Sequence, residues 1–259
     1  MLPSFSISMY NQNMQIYKEI LEFVRQDPAA NDLITLGVSG SKWSVIQSGS
    51  RYGIAMTVPS WKANRCMENP HNRSLSEVSE WILSWDFQKA SLGAAAINCI
   101  LNRSDSIKNH FAHVKTKGKL LPNLNPNELL VSVGDFPFLK QLNHPNLVIL
   151  EKDPNKGTHP DSACEEFLPQ ANIVIITGAS LINKSLHQIL KLSQAAHTRI
   201  LIGPSTPAVP SLLSPKRLTQ LGVTVLTQNP EIPILAGLGA SREIFDSQFS
   251  QALDIFATP

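Results

Sequence analysis

The chain has 259 residues, enough to bury a sizeable core as one large domain or two modest ones. Its 22 Lys and Arg against 20 Asp and Glu give a formal net charge of +2 with no basic cluster, which argues against a nucleic-acid partner. It also lacks an apolar run of about 18 residues to span a membrane, an N-terminal signal-peptide pattern, and any cysteine framework beyond the scattered Cys66, Cys99 and Cys164, so a reducing cytoplasm is the expected compartment.

Tyr17, Ile20, Leu21 and Val24 recur at helical spacing and predict an amphipathic helix that ends near Asp27 and Pro28. Residues 33–38, 43–47 and 51–57 then read as a meander of strands, with Ser48, Gly49 and Ser50 forming the last turn. Residues 59–73 are polar and aperiodic and predict a long loop. Ser74 with Glu77 is a capping box that opens a helix through Leu83. Asp86 caps a further helix over 87–101, whose centre, Gly93-Ala94-Ala95-Ala96, permits close packing. Asn98 ends that small-residue run, and its amide must find partners in local backbone or at a site.

Residues 117–128 carry Gly, Pro and Asn and mark a boundary, giving expected domains of 1–122 and 123–259. Beyond it, residues 129–133, 147–150, 172–176, 199–202 and 223–226 are short apolar runs that predict buried strands. Helices are expected near 138–142, 161–168, 181–195, 211–221 and 241–256. This alternation predicts an α/β unit with a doubly wound parallel sheet, whose ligand site lies beyond the carboxyl ends of the strands.

Those ends carry the candidate site residues. The first strand leads into Gly134-Asp135-Phe136-Pro137-Phe138, a turn with one glycine, an acid and two aromatics. It lacks the three glycines that let backbone approach a pyrophosphate, which argues against NAD and FAD; a P-loop is also absent. Glu151 ends the second strand, 17 positions after Gly134, where an acid often holds ribose hydroxyls. A ribose without phosphates points to an adenosyl group such as that of S-adenosylmethionine, with Phe136 and Phe138 flanking the base or facing the sulfonium. The alternative is that both rings are core residues and Glu151 pairs with Lys152 or a neighbour. Two further turns are rich in hydroxyls and backbone N–H groups: Thr177-Gly178-Ala179-Ser180 and Gly203-Pro204-Ser205-Thr206-Pro207. Ser180 reads as an N-cap for a helix through Leu190, with Asn183 and Lys184 in its first turn. The prolines after Gly203 read as a rigid ledge, in which one bond in the cis form is open. His110 and His113 are three apart without further ligands, and no nucleophile elbow occurs.

These turns, in this order, resemble the family described as putative heavy-metal chelation. The resemblance runs through Val133 to Phe138, then Glu151-Lys152-Asp153-Pro154, then Thr177 to Lys184, then Gly203 to Pro207. It extends to Tyr52-Gly53-Ile54-Ala55 and to Ser91 through Asn98 in the N-terminal part. It implies an enolase-N-terminal-like α+β domain followed by a Rossmann-like parallel-sheet domain. It further implies a site between them at which Asn98, the Phe-Pro-Phe turn, Glu151 and Asn183 converge. The chain departs from the family pattern at Ala179-Ser180 and at Gly237-Leu238-Gly239. The family description implies a chelator, whereas Asp135, Glu151 and amides are few and hard ligands for a heavy metal.

Three functional classes follow. The first is an enzyme acting on an adenosyl sulfonium as lyase, cyclase or transferase; the second is a heavy-metal- or metallophore-binding protein; the third is a noncatalytic ligand sensor. A pyridoxal-phosphate enzyme is weaker, with Lys184 alone suitably placed for a Schiff base. In each case the partner is a small molecule. A divalent metal and assembly of identical copies stay open.

Overall fold

The computed structural model describes residues 4–60, 68–116, 121, 124–155 and 157–257, with side chains from Met14 onward. Helix α1 (Ser4–Gln26) buries Tyr17, Ile20, Leu21 and Val24, the stripe expected from their spacing. It ends where Asp27 caps a 3₁₀ turn begun by Pro28. Strands β1 (Leu36–Ser39), β2 (Trp43–Ser48) and β3 (Arg51–Met56) form an antiparallel meander in that order. Ser48 pairs with Arg51, so the turn is the two-residue Gly49-Ser50, and Gly49 takes a φ of +58°.

The loop expected over 59–73 lies partly outside the described residues, as does half of the boundary expected at 117–128, and Cys66 lies wholly outside them. Ser74 and Glu77 form the reciprocal capping box of α2 (Leu75–Ser79), which continues as a 3₁₀ turn to Leu83. Asp86 caps α3 (Phe87–Leu101), a helix buried on all sides from Ala90 onward. Its small residues explain that burial. A Cβ on Gly93 would collide with the main chain of Ile82, and one on Gly53 of β3 with the main chain of Ala95 and Cys99. Such approach leaves no room for a methyl group.

After α4 (Ser104–His110), an eight-stranded sheet takes over. Its members are β4 (Val114–Thr116), β5 (Leu130–Val133), β6 (Leu147–Glu151), β7 (His159–Pro160), β8 (Ile173–Thr177), β9 (Thr198–Ile202), β10 (Gln220–Leu226) and β11 (Ser250–Phe256). The order is β4-β11-β10-β9-β8-β5-β6-β7. From β10 to β7 neighbours are parallel, while β11 and β4 add antiparallel pairs at one edge. The fold is therefore mixed α/β around a large, mostly parallel sheet, as the alternating pattern implies. Side chains divide by parity. Val131, Val133, Leu150, Val174, Ile176 and Leu201 join the core around α3, whereas Leu130, Ile149, Ile173, Ile175, Ile200 and Ile202 form a second cluster on the opposite face.

The helices between these strands are α5 (Cys164–Phe167), α6 (Ala179–Ile182), α7 (Leu186–Leu192) and α8 (Glu231–Gly237). Several differ from expectation. The segment at 138–142 is one 3₁₀ turn, Leu139–Gln141, and 161–168 is a 3₁₀ turn followed by the short α5. The helix expected over 181–195 is split, because Lys184 adopts a φ of +67° that no α-helix tolerates. Residues 211–221 hold no helix beyond the 3₁₀ turn Pro210–Leu212. Pro215 would clash with the carbonyl of Ser211 in a helix, and β10 already begins at Gln220. Residues 241–256 form a 3₁₀ turn, Glu243–Phe245, and then β11, whose alternate Leu253 and Ile255 are buried against the core. Pairing with β10 outweighs local helical preference there. All described peptide bonds, including those of the proline ledge, are trans. No described helix is long and apolar enough to cross a membrane.

Each half of the chain lends an element to the other. Strand β4, before residue 122, pairs with β11. Helix α8, after it, packs on β1 and β2, with Ile232 and Ala236 buried against Val45, Tyr52 and Ile54. Trp43 adds an edge-to-face contact to Phe245 at 4.8 Å and donates its indole N–H to the Ser241 carbonyl at 2.9 Å. Asn102, at the end of α3, joins three segments. Its amide donates to the carbonyls of Thr206 and Thr224 and accepts from the N–H of Ala208. Truncating it leaves three buried main-chain groups without partners, at about 1–3 kcal/mol for each orphan. The Asn102→Ala protein is expected to lose at least about 3 kcal/mol of stability in urea unfolding, against about 0.5 kcal/mol for an ordinary surface change.

Lys184 carries a second testable consequence. Its ammonium reaches back to the Ile82 carbonyl and sits 5.0 Å from the centre of the Tyr17 ring, whose hydroxyl donates to the Leu181 carbonyl at 2.7 Å. Burial lowers the Lys184 pKa to about 8. In the unfolded chain the group holds its proton to about pH 10.4. Between those values the unfolded state binds more protons, so stability rises with pH through that window. The penalty for burying the charge is complete below pH 8. Lys184→Met is expected to flatten the rise in a stability–pH profile from 7 to 10; a variant with the wild-type slope would remove the assignment.

Candidate functional site

In the large sheet the chain leaves β5 for β6 on one side and returns to place β8 on the other, so the strand order reverses between β5 and β8. A crevice opens at such a reversal, outside the carboxyl ends of the strands. Gly134 follows β5, Thr177 ends β8 and Gly203 follows β9. Gly134 and Gly203 have φ of +117° and +108°, values that side chains rarely adopt. The Phe136 ring covers both. A Cβ added to Gly134 would stand 3.3 Å from its edge and 3.2 Å from the Thr177 Cβ, and one on Gly203 would stand 3.9 Å away. Phe136 and Phe138 stack with centroids 5.8 Å apart and planes at 28°. Both also pack on the second core cluster, so these half-buried rings close the sheet face and present one side to the crevice.

The acidic groups are partly engaged by the main chain. One oxygen of Glu151 accepts from the Asp135 N–H, and the other accepts from the Lys152 N–H at 3.2 Å. The Glu151 carboxylate thus pins the Gly134-Asp135 turn onto β6, and each oxygen retains a lone pair for a further donor. Asp135 lies 3.9 Å from the exposed Lys140 ammonium. Pro137 is exposed at the tip of the turn.

The two hydroxyl-rich turns lie one on the other. A Cβ on Gly178 would stand 2.7 Å from both the N–H nitrogen and the hydroxyl of Thr206, so Gly178 is the seat of the 203–207 loop. That loop is tied to the first sheet. Asn98 donates one amide hydrogen to the Ile54 carbonyl and the other to the Pro204 carbonyl, both at 2.9 Å. The Met56 N–H donates to the Ser205 hydroxyl at 2.8 Å. Pro207 is buried behind the loop. The Asn98 carbonyl oxygen and the hydroxyls of Ser180 and Thr206 are buried without hydrogen-bond partners.

The structure therefore gathers Asn98, Gly134, Asp135, Phe136, Phe138, Glu151, Thr177, Gly178 and the 203–206 turn around one sheet edge. Two residues take other parts. Ser180 is not an N-cap, because α6 starts at Ala179 after Gly178 with no side-chain cap. Asn183 turns inward on its own chain: its carbonyl oxygen accepts from the N–H of Ser185 at 3.1 Å and its hydroxyl at 2.7 Å, closing α6. No hydrogen bond joins Asn183 to Asn98. Met56, Asn102 and Ser132, whose hydroxyl donates to the Gly134 carbonyl at 2.7 Å, were not anticipated from sequence. Asn102 carried a signal, since it lies four residues from Asn98 on the same helix face.

A second, shallow concavity of about 540 Å³ lies beside Trp81. Its cations are already engaged: Lys89 and Arg73 sit 5.0 and 5.7 Å from the Trp81 ring and pair with Glu68. Among the described residues, no three of His, Cys, Asp and Glu lie close enough to hold a metal ion.

Two family models, both described as putative heavy-metal chelation, match residues 29–101 and 120–253. A crystal structure of a protein of unknown function from the DUF364 family of Desulfitobacterium hafniense superposes with a TM-score of 0.79 at 26% identity, covering 95% of this chain and 99% of that one. A second from the same family, from Pyrococcus horikoshii, gives 0.71 at 20% identity with the same coverage. An uncharacterized protein of Methanocaldococcus jannaschii is 27% identical over 160 residues, 59% of this chain and 61% of that protein. With both models matched in order and the fold shared end to end, the chain belongs to the family described as putative heavy-metal chelation.

Proposed function

We propose that this protein binds a small organic ligand at the carboxyl edge of its large sheet, and that a heavy metal reaches it as the complex of such a ligand. The observation that carries this reading is the chemistry of the donor set. A heavy metal bound by side chains needs a cluster of soft or borderline donors. The edge offers backbone groups, hydroxyls, two stacked rings and two carboxylates, of which Glu151 is already spanned by main-chain N–H groups. These residues do not fit a bare ion. They fit the outer surface of a complex whose own donors satisfy the metal. The carboxylates and aromatic faces favour a cationic ligand. In this reading Phe136 and Phe138 give a flat wall, Glu151 and Asp135 accept hydrogen bonds, and the fixed 203–207 loop supplies a rigid backing.

Calorimetry of the metal-free protein tests it. Copper, nickel and zinc are titrated as aqua ions and as their histidine and citrate complexes. The histidine complexes are expected to bind, and the anionic citrate complexes and the aqua ions to bind more weakly. Tighter binding of the aqua ions at a stoichiometry of one would show direct chelation and reject the proposal.

A second reading, an adenosyl sulfonium acted on by a lyase, cyclase or transferase, is favoured by one placement. Glu151 ends β6, next to the strand reversal, with lone pairs free for a ribose diol. Glu151→Gln retains an acceptor for the Asp135 N–H but removes the charge. In this reading it weakens S-adenosylmethionine by about 1.5–3 kcal/mol, or roughly 10–150-fold, the contribution of a hydrogen bond to a charged group. Equal affinity for S-adenosylmethionine in both proteins, or binding in neither, would dismiss the adenosyl ligand.

A further inference from the structure

The amino edge of the large sheet, opposite the crevice, holds a buried cation without a counter-charge. Along β9 the side chains alternate: Ile200 and Ile202 enter the second cluster, while Leu201 joins the core around α3. Arg199 therefore lies on the α3 side at the start of the strand, level with Val174 of β8, and is only 3% exposed. Its guanidinium makes one hydrogen bond among the described residues, from Nη2 to the Pro215 carbonyl at 2.6 Å. Nε and Nη1 are buried without a partner, and no described carboxylate pairs with the group. The loop that supplies Pro215 adds positive rather than negative charge. Lys216 is exposed and forms no ion pair among the described residues, and Arg217 is committed to Glu19 of α1. Arginine keeps its charge in a protein, so the cost of desolvating Arg199 stands until an anion meets it. Burial pushes its pKa down, the direction of a charge that lacks compensation.

We propose that Arg199 is the core of an anion site at the amino edge, beneath residues 214–217, and that its ligand is a small phosphate oxyanion. The guanidinium fork matches the oxygen geometry of phosphate and carboxylate, and the free Nε and Nη1 supply the donors. Phosphate is favoured over a singly charged carboxylate because a second cation, Lys216, adjoins Pro215 in the same short loop. That loop is closed by the Arg217 N–H, which donates to the Ser214 carbonyl at 3.0 Å. The site is independent of the ligand proposed at the carboxyl edge. Phosphate here would join β9, whose far end carries the 203–207 turn, to the loop that Arg217 ties to α1.

Calorimetry with inorganic phosphate, in phosphate-free buffer at constant ionic strength, tests it. The wild type is expected to bind phosphate at a stoichiometry of about one, and Lys216→Ala to bind it roughly ten-fold more weakly. Melting gives a second readout. Phosphate stabilises proteins generally by exclusion from their surface, so the informative quantity is the shift in wild type minus that in Arg199→Met. Without phosphate this variant is expected to melt no lower than wild type, because an apolar side chain replaces an uncompensated charge. With phosphate it is expected to lose the excess shift. Arg199→Lys, which keeps the charge but not the fork, takes its place if Arg199→Met does not fold, and is expected to bind phosphate at least about ten-fold more weakly. A wild type that binds no phosphate, or an Arg199 variant that binds it equally well, overturns the inference. Acetate that binds as tightly as phosphate overturns the phosphate assignment.

Discussion

Everything in this molecule depends on how closely other chain segments approach α3. Gly53 and Gly93 let main chain touch main chain on two sides of that helix, and Ala94, Ala95 and Ala96 keep the intervening surface thin. Because no large side chains separate them, polar groups on α3 can reach across to the neighbouring sheet. Asn98 and Asn102, one turn apart, do so. Between them they bond to main-chain groups of Ile54, Pro204, Thr206, Ala208 and Thr224. Hydrogen bonds of this kind contribute about 1 kcal/mol each, but losing one partner costs more because the other is left buried. The small-residue helix is therefore the condition under which two different sheets share one polar seam.

That seam has a functional consequence. Ligand-binding loops are commonly the least stable parts of a fold. Here the 203–207 turn is held by the side chains of Asn98 and Asn102 and by the main-chain N–H of Met56, and is seated on Gly178, so it is a rigid wall of the crevice. The opposite wall, residues 134–138, is fixed differently, by one carboxylate and a pair of stacked rings that close the sheet face. In the proposed function, recognition at this edge rests on preformed backbone, which reduces the ordering cost of binding.

Much of this was readable in the sequence where local signals agreed. The helix over 87–101 combined a cap, small residues and length, and the five buried strands were short apolar runs between breaks; all are present where expected. The glycines and aromatics at the strand ends also fall together as expected, because strand ends in a parallel sheet share one edge. The errors came where long-range pairing opposed local pattern. Ser250 to Phe256 reads as helix until β10 offers it a ladder, and Lys184 reads as a helical residue until Tyr17 and Ile82 are brought beside it. Asn183 was placed in the site through family resemblance; its side-chain oxygen is engaged by Ser185 within two residues, a local competition that spacing alone does not rank. The tie between Met56 and Ser205 was invisible because it depends on which loop of the other half meets the Met56 N–H.

The absence of a side-chain ligand cluster among the described residues is compatible with a chelation family once the cost of dehydration is placed on the correct molecule. A bare heavy-metal ion must exchange its water shell for protein donors, and a folded site meets that cost only with several matched ligands held in geometry. An ion already wrapped by an organic chelator has met it elsewhere. In the proposed function the protein then needs only hydrogen-bond acceptors and a flat apolar wall. The carboxyl edge has these features: Glu151 and Asp135 as acceptors, Phe136 and Phe138 as the wall, and rigid main chain at residues 203–206. Such a site discriminates by the shape and charge of the complex rather than by the intrinsic affinity order of the metals. Specificity built that way tolerates substitution of the metal and is lost when the wall or the acceptor is altered, the opposite of what a side-chain chelate would show.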